Sequence, residues 1–300
     1  MIRAQIALLP DGRRLHLQDG PIDLIVEGFG SAAEVRAAYD AAAMRFATIL
    51  DELCSELPLL RAAAVPGRCA LIGVVARRMH DAVVPFATEC FITPMAAVAG
   101  AVAEEVLSAM VAAALLARAF VNNGGDIALH LTPGAQFTVG MVDRPDRPAL
   151  LGTAVIDATA PVRGIGTSGR YGRSFSLGIA DAVTVLARSA ALADAAATVV
   201  ANAVDLPGHP GIHRLPADAL QPDSDLGDRL VTRHVEALMP DEIAEALAAG
   251  YACAEILRDG GLIQAAALHL QGETITLGLP AQAAPFLFPP LATARASAHG

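Results

Sequence analysis

The run from Arg163 to Asn202, RGIGTSGRYGRSFSLGIADAVTVLARSAALADAAATVVAN, decides how this chain is read. It joins a glycine-rich turn bearing hydroxyls, Gly164-Ile165-Gly166-Thr167-Ser168-Gly169, to an apolar strand over Ala182–Ala187 that is entered from Asp181. A small-residue helix follows, carrying Asp194 and Thr198 four residues apart. At 3.6 residues per turn, that spacing stacks a carboxylate and a hydroxyl on one helix face. Hard oxygen ligands of this kind suit Mg²⁺ or Ca²⁺ better than zinc. The plainer alternative is a first-turn acid on the helix dipole and an ordinary face hydroxyl.

Around that run, composition narrows the function classes. Three hundred residues are enough for one large domain or two small ones. The chain is 54% hydrophobic but only 4% aromatic, with no Trp and a formal charge of −10. Base-stacking platforms and a phosphate-backbone partner are both disfavoured, so no nucleic acid is expected. All 21 basic residues are arginine. Without lysine there is no Schiff-base nucleophile, pyridoxal-phosphate anchor or Walker A motif. Cys54, Cys69, Cys90 and Cys253 are dispersed, which points to a reducing, cytoplasmic setting. The N-terminus lacks a secretory layout, and the most apolar helix, Val106–Ala117, is too short to span a bilayer. A soluble protein with no membrane partner is expected.

Outward from the central run, the chain opens with a hairpin over Ile2–Leu8 and Leu15–Leu17, turned at Pro10-Asp11-Gly12-Arg13. Ile22–Val26 reads as a strand, and Ser31 with Glu34 caps a helix running to about Leu57. Gly28–Ala33 imitates a dinucleotide fingerprint, but Asp51 falls inside that helix and not at a second strand end. Cys69–Ala76 reads as a buried strand, and Thr93-Pro94 starts a helix to about Ala119. Asn122-Asn123-Gly124-Gly125-Asp126 closes that helix, as a ligand-approaching turn or as a helix cap and hairpin turn. Strands follow over Ile127–Leu131, Gln136–Val142 and Leu150–Asp157. The Gly164 segment reads as a loop between strands, flanked by Arg163, Arg170 and Arg173, able to cradle an anion or merely exposed. Asp205–Asp228 reads as a long surface loop in which Pro210 and Gly211 spoil a metal pairing of His209 with His213. A helix over Asp241–Arg258 and a hairpin over Leu262–Leu270 and Thr274–Leu277 complete a single α+β domain over residues 1–280. Residues 281–300 form a loosely ordered tail.

Three segments carry a family resemblance. Val121-Asn122-Asn123-Gly124-Gly125-Asp126-Ile127 resembles the N-x-G-G-D signature of ApbE-type flavin transferases. Thr167-Ser168-Gly169 followed by Tyr171 resembles their T-S-G-x-Y segment. Ala193-Asp194-Ala195-Ala196-Ala197-Thr198 resembles their A-D-x-x-A-T magnesium motif. The three occur in family order across roughly Thr93–Ala203, and Ala97-Val98-Ala99 resembles the segment whose backbone carbonyl completes the metal site. The family's H-x-I-D-P-x-T-G segment is absent, and Gly100 stands near the place of its lysine. The N-terminal half resembles a branch of the superfamily other than the transferases themselves.

The resemblance implies an ApbE-like, T-fold-like architecture of antiparallel sheets packed with helices. It implies Mg²⁺ on Asp194, Thr198 and a carbonyl such as that of Ala97. It also implies FAD, FMN or another anionic small molecule held by Asn122, Asn123, Gly124, Gly125, Thr167, Ser168, Gly169 and Tyr171, with Asp126 and Asp181 as candidate bases. A flavin-free hydrolase or lyase acting on a small carboxylate or amide remains an open alternative. So does an accessory factor in sulfur or cofactor metabolism, and a homo-oligomer is compatible with each. All three segments should line one concave site.

Overall fold

The computed structural model describes residues 4–142 and 150–278, so the expected tail lies outside the described residues. The first half contains strands β1 (Gln5–Leu8), β2 (Leu15–Asp19) and β3 (Ile22–Phe29), then helices α1 (Ala32–Ser55), α2 (Leu57–Leu60), α3 (Val74–Val83) and α4 (Val98–Ala113). Next come β4 (Arg118–Asn123), β5 (Asp126–Leu131), β6 (Gln136–Val142), β7 (Leu150–Asp157), β8 (Gly164–Ser168), β9 (Ala182–Ala187) and α5 (Ala190–Ala203). The chain continues through β10 (Ile212–Pro216), α6 (Ala217–Leu220), β11 (Leu230–Val235), α7 (Pro240–Asp259), β12 (Ala265–Leu270) and β13 (Glu273–Leu277). The fold is α+β.

Nine strands form one sheet in the order β1-β2-β3-β4-β5-β8-β9-β12-β13, and every neighbouring pair is antiparallel. Strand alternation gives the sheet two faces. Leu17, Leu24, Val26, Val121, Ala128, Val183 and Val185 point inward, onto a core built with α1, α4, α5 and α7. Leu129, Leu131, Ile165 and Leu186 point outward, where Ile156 of β7 and Phe137 of β6 cover them. Arg118 stacks on Phe29 and Phe137, fixing the β6–β7 hairpin over one end of β3 and β4.

Helix α5 is the element the rest surrounds. Its alanines are buried on nearly every side, and its neighbours answer with glycine. A Cβ at Gly164 would lie 2.1 Å from the Ser189 carbonyl, and one at Gly166 would lie 2.3 Å from that of Ala193. One at Gly100 of α4 would lie 2.2 Å from the Ala190 oxygen. Small residues on both sides thus let helix backbone rest on strand backbone and on a second helix. The first turn of α5 is held by Ser189 Oγ, which accepts from Leu192 N–H, and by Glu104, which accepts from Ala191 N–H at 2.8 Å.

Several expected elements differ. Gly164–Ser168 is a strand, not a turn; its glycines serve helix contact, and only Gly169, at φ +144°, bends the chain. Cys69–Ala76 is no strand: residues 69–73 are coil, largely exposed apart from the buried Leu71, and the run then enters α3 at Val74. The helix begun at Pro94 ends at Ala113, because Arg118–Asn123 is needed as β4 between β3 and β5. Residues 205–228 include β10 and α6. The stretch Pro94–Ala113 is long and apolar enough, by length and composition, to cross a membrane, so shortness does not exclude a span. Here it is a core helix, packed by α1, α3, α5, β4 and β5, with Glu105 paired to Arg45 at 2.7 Å and to Arg78 at 2.8 Å.

Candidate functional site

The site forms where the sheet is weakest. β5 and β8 share only two register pairs, Ile127↔Ile165 and Ala128↔Gly164, and past them the strands part. There Asp126 begins β5 pointing inward, and its Oδ1 accepts the Thr167 N–H at 3.0 Å, continuing the ladder through a side chain. Gly166 brings the α5 backbone against β8, and Asp194 projects from α5 toward the same point. Asp194 Oδ2 accepts the Gly100 N–H at 3.0 Å, with the Ala99 N–H also directed at this carboxylate. Asn123 closes the inner side by donating to the Ala99 carbonyl at 3.2 Å.

Two carboxylates from distant segments therefore face each other. Burial pushes Asp126 up to about 7, against the Thr167 N–H and the Arg173 charge, which pull it down. Burial, then the charge of Asp126, hold Asp194 well above the ordinary carboxylate range, against the Gly100 and Ala99 N–H groups. Thr198 lies one turn further along α5, half-buried. Ala97 is fully buried at the junction of the Pro94–Ala97 turn with α4; Ala99 and Gly100 make the direct contacts to the site.

The other expected binding residues divide between the two faces of the sheet. Asn123 and Asp126 point inward, whereas Asn122 points outward. Outside the β4–β5 turn lies a cavity of about 300 Å³, lined by Asp23, Ile25, Asn122, Gly124, Gly125 and Arg173. The single concave site expected from the sequence is thus two adjoining sites on either side of one hairpin tip. Gly124 and Gly125 hold φ of +66° and +114°, which the two-residue turn requires. Thr167 pairs across to Thr184 on the outer face, and Ser168 faces the opposite way. Gly169 packs against the Asp181 backbone, and Tyr171 lies beneath the Arg170 guanidinium.

Asp181 stands apart from the carboxylate pair. Its Oδ1 accepts from Arg170 Nε at 2.7 Å and its Oδ2 from Gln271 N–H at 2.7 Å, so both oxygens of this buried acid are engaged in tying β9 to the β12–β13 turn. That geometry suits a structural ion pair rather than a base. Arg170→Ala is expected to destabilise the fold by about 3–5 kcal/mol in urea unfolding, as for a buried charge stripped of its partner. Adding Asp181→Asn should recover much of that loss; a second variant no better than the first would refute the assignment. Nor do the three arginines form one anion cradle. Arg163 donates to the carbonyls of Ala158, Ala160 and Val162, and only Arg173 reaches the cavity. His209 and His213 pair separately with Glu242 and Glu236. Ala99 belongs to the Ala97-Val98-Ala99 segment already expected near the metal, whereas Asp23 carries no motif; its acidic side chain near the start of β3, a mostly apolar strand that also holds Glu27, is the one local signal.

The fold and site define an α+β protein with a carboxylate pair enclosed between a helix and a parting of its sheet. The family described as AbpE bacteria matches over residues 6–276, and the chain belongs to it. The UPF0280 protein of Methanopyrus kandleri is 39% identical over 155 residues, covering 51% of this chain and 59% of that protein. The UPF0280 protein of Methanothrix thermoacetophila is 36% identical over 162 residues, covering 52% and 64%. The matched stretch thus spans less than two thirds of those relatives. The structure of Pseudomonas stutzeri flavinyl transferase ApbE, apo form, aligns over 92% of this chain and 94% of that one, with TM-score 0.44 and 14% identity.

Proposed function

We propose that this chain binds Mg²⁺ between Asp126 and Asp194, with Thr198 one turn away, and holds a flavin or similar anionic small molecule across the Gly124–Gly125 tip. The observation that carries this reading is the convergence of two carboxylates, Asp126 buried and Asp194 partly exposed, each already oriented by backbone N–H groups. Two like charges so placed are mutually unfavourable until a cation or a proton joins them. The donor set fits Mg²⁺. Among the described residues no three His, Cys, Asp or Glu side chains gather as a metal cluster. Hydroxyl, carbonyl, water and ligand oxygens would complete the shell around the two carboxylates, as this ion prefers. Bound there, Mg²⁺ would neutralise ligand charge and polarise a phosphate oxygen.

The chain's own residues do the rest. Ala99, Gly100 and Thr167 fix the carboxylates, Arg173 offers the outer cavity guanidinium N–H donors, and the glycine tip lets a ligand lie close to the backbone. Asp126, expected as a base, serves here as the second carboxylate of the cation site. Family membership and the three motifs support cleavage of a phosphate-bearing flavin such as FAD, with water or another group as acceptor. Calorimetry tests the reading. Wild-type protein should take up Mg²⁺, Asp194→Ala should bind it at least tenfold more weakly, and FAD should raise the melting temperature only when Mg²⁺ is present. Equal Mg²⁺ affinity in the two proteins would end the proposal.

A further inference from the structure

The outer cavity has a hydrogen-bonding pattern that the cation site does not explain. Its residues follow from strand register. Asp23 and Ile25 lie two apart on the outer face of β3, and Ile25 is the cross-strand partner of Asn122. Beyond one end of this row, Arg173 donates to the Pro21 carbonyl and rests against Gly124; any Cβ at Gly124 would come within 2.9 Å of its Nη1. Along the rim the order is therefore Arg173, Asp23, then Asn122, with Ile25 as an apolar floor.

Each polar group has a determined sense. Arg173 can only donate. Asn122 has its Oδ1 occupied by the Gly125 N–H at 2.9 Å, which leaves its amide NH₂ to donate. Asp23 accepts, and His16 Nε2 holds its Oδ1 at 2.9 Å, leaving Oδ2 for another donor. His16 is itself the cross-strand partner of Ile25, so the His16–Asp23 pair continues the row.

From this donor–acceptor–donor order we infer that the cavity reads the imide edge of a planar heterocycle, a ring N–H flanked by two carbonyls. Asp23 accepts from the N–H, while Arg173 and Asn122 donate to the carbonyls. Complementary edges of this kind discriminate strongly, because the wrong partner leaves polar groups unpaired. About 300 Å³ lies at the small end of ligand cavities and accommodates one end of a ring system, not a whole dinucleotide. The inference rests on the flavin reading above and names the part of the ligand that enters. It also makes His16 a positioning residue for Asp23.

FMN and N3-methyl-FMN, in the presence of Mg²⁺, provide the test. Wild-type protein should bind FMN at least tenfold more tightly than the methylated compound. Asp23→Ala should bind both equally weakly, and His16→Gln should retain a reduced preference. Far-ultraviolet circular dichroism and the melting temperature check that each variant is folded; Asp23→Asn is the substitute should Asp23→Ala unfold. Equal binding of the two compounds by the wild type, or an undiminished preference in the Asp23 variant, overturns this inference alone. No binding of FMN by the wild type removes it together with the flavin reading.

Discussion

Gly166→Ala is expected to destabilise the fold by about 3 kcal/mol or more, and to abolish Mg²⁺ binding in whatever protein remains folded. The added Cβ would lie 2.3 Å from the Ala193 carbonyl carbon and oxygen and 2.5 Å from Asp194 N. Those atoms are helix backbone, so relief requires α5 to move off the sheet and take Asp194 with it. Gly28→Ala is the comparison: its Cβ would meet only the flexible ends of side chains, the Leu116 methyls at 3.4 and 3.5 Å and the Met110 methyl at 3.7 Å, and should change stability by less than about 1 kcal/mol. Chemical denaturation of both variants, with calorimetric Mg²⁺ titration, checks the result. A Gly166→Ala protein as stable as Gly28→Ala would show that α5 is not held by backbone contact.

The second large effect is on the response to pH. Asp126 rises from an ordinary 3.8 to about 7 on folding. Between those values the folded protein holds more protons than the unfolded chain. The contribution to stability is therefore fully present below about pH 4 and lost as pH rises through about 7, a swing on the order of 4 kcal/mol. Asp194, raised in the same direction, adds to it. Without divalent cations, Asp126→Asn should thus be more stable than the wild type at pH 8 and gain little at pH 4. Added Mg²⁺ should stabilise the wild type at pH 8 and leave Asp126→Asn nearly unchanged. Thermal melts at the two pH values, with and without Mg²⁺, decide this. A wild type whose deficit relative to Asp126→Asn does not grow with pH would contradict the burial of the pair.

Much of the framework was legible because it is local. Gln136–Val142, Leu150–Asp157 and Ala182–Ala187 are strands as their apolar and β-branched content suggests, and Ser31 caps α1 through the Glu34 N–H. The mistakes share a physical cause. Gly164 and Gly166 look like loop residues, yet they are strand residues whose missing side chains make room for a helix about 25 residues further on. Arg118–Asn123 continues an alanine-rich helical pattern and becomes a strand because β3 and β5 supply its partners, a tertiary gain that overrides propensity. The motif segments were recognisable one by one. That Asn122 and Asn123 face opposite sides, so that the expected pocket divides around a hairpin tip, follows from strand alternation, and reading β4 as helix hid it.

The parting of β5 from β8 has one more consequence. Elsewhere in the sheet neighbouring strands are joined by amide-to-carbonyl bonds, whose strength is indifferent to what is dissolved around them. At Asp126 the junction passes through a carboxylate that gains or loses its proton near neutrality. The two halves of the sheet, β1 to β5 on one side and β8, β9, β12 and β13 on the other, are therefore sewn together at that point by a stitch whose tightness follows the activities of protons and cations in the surrounding solution.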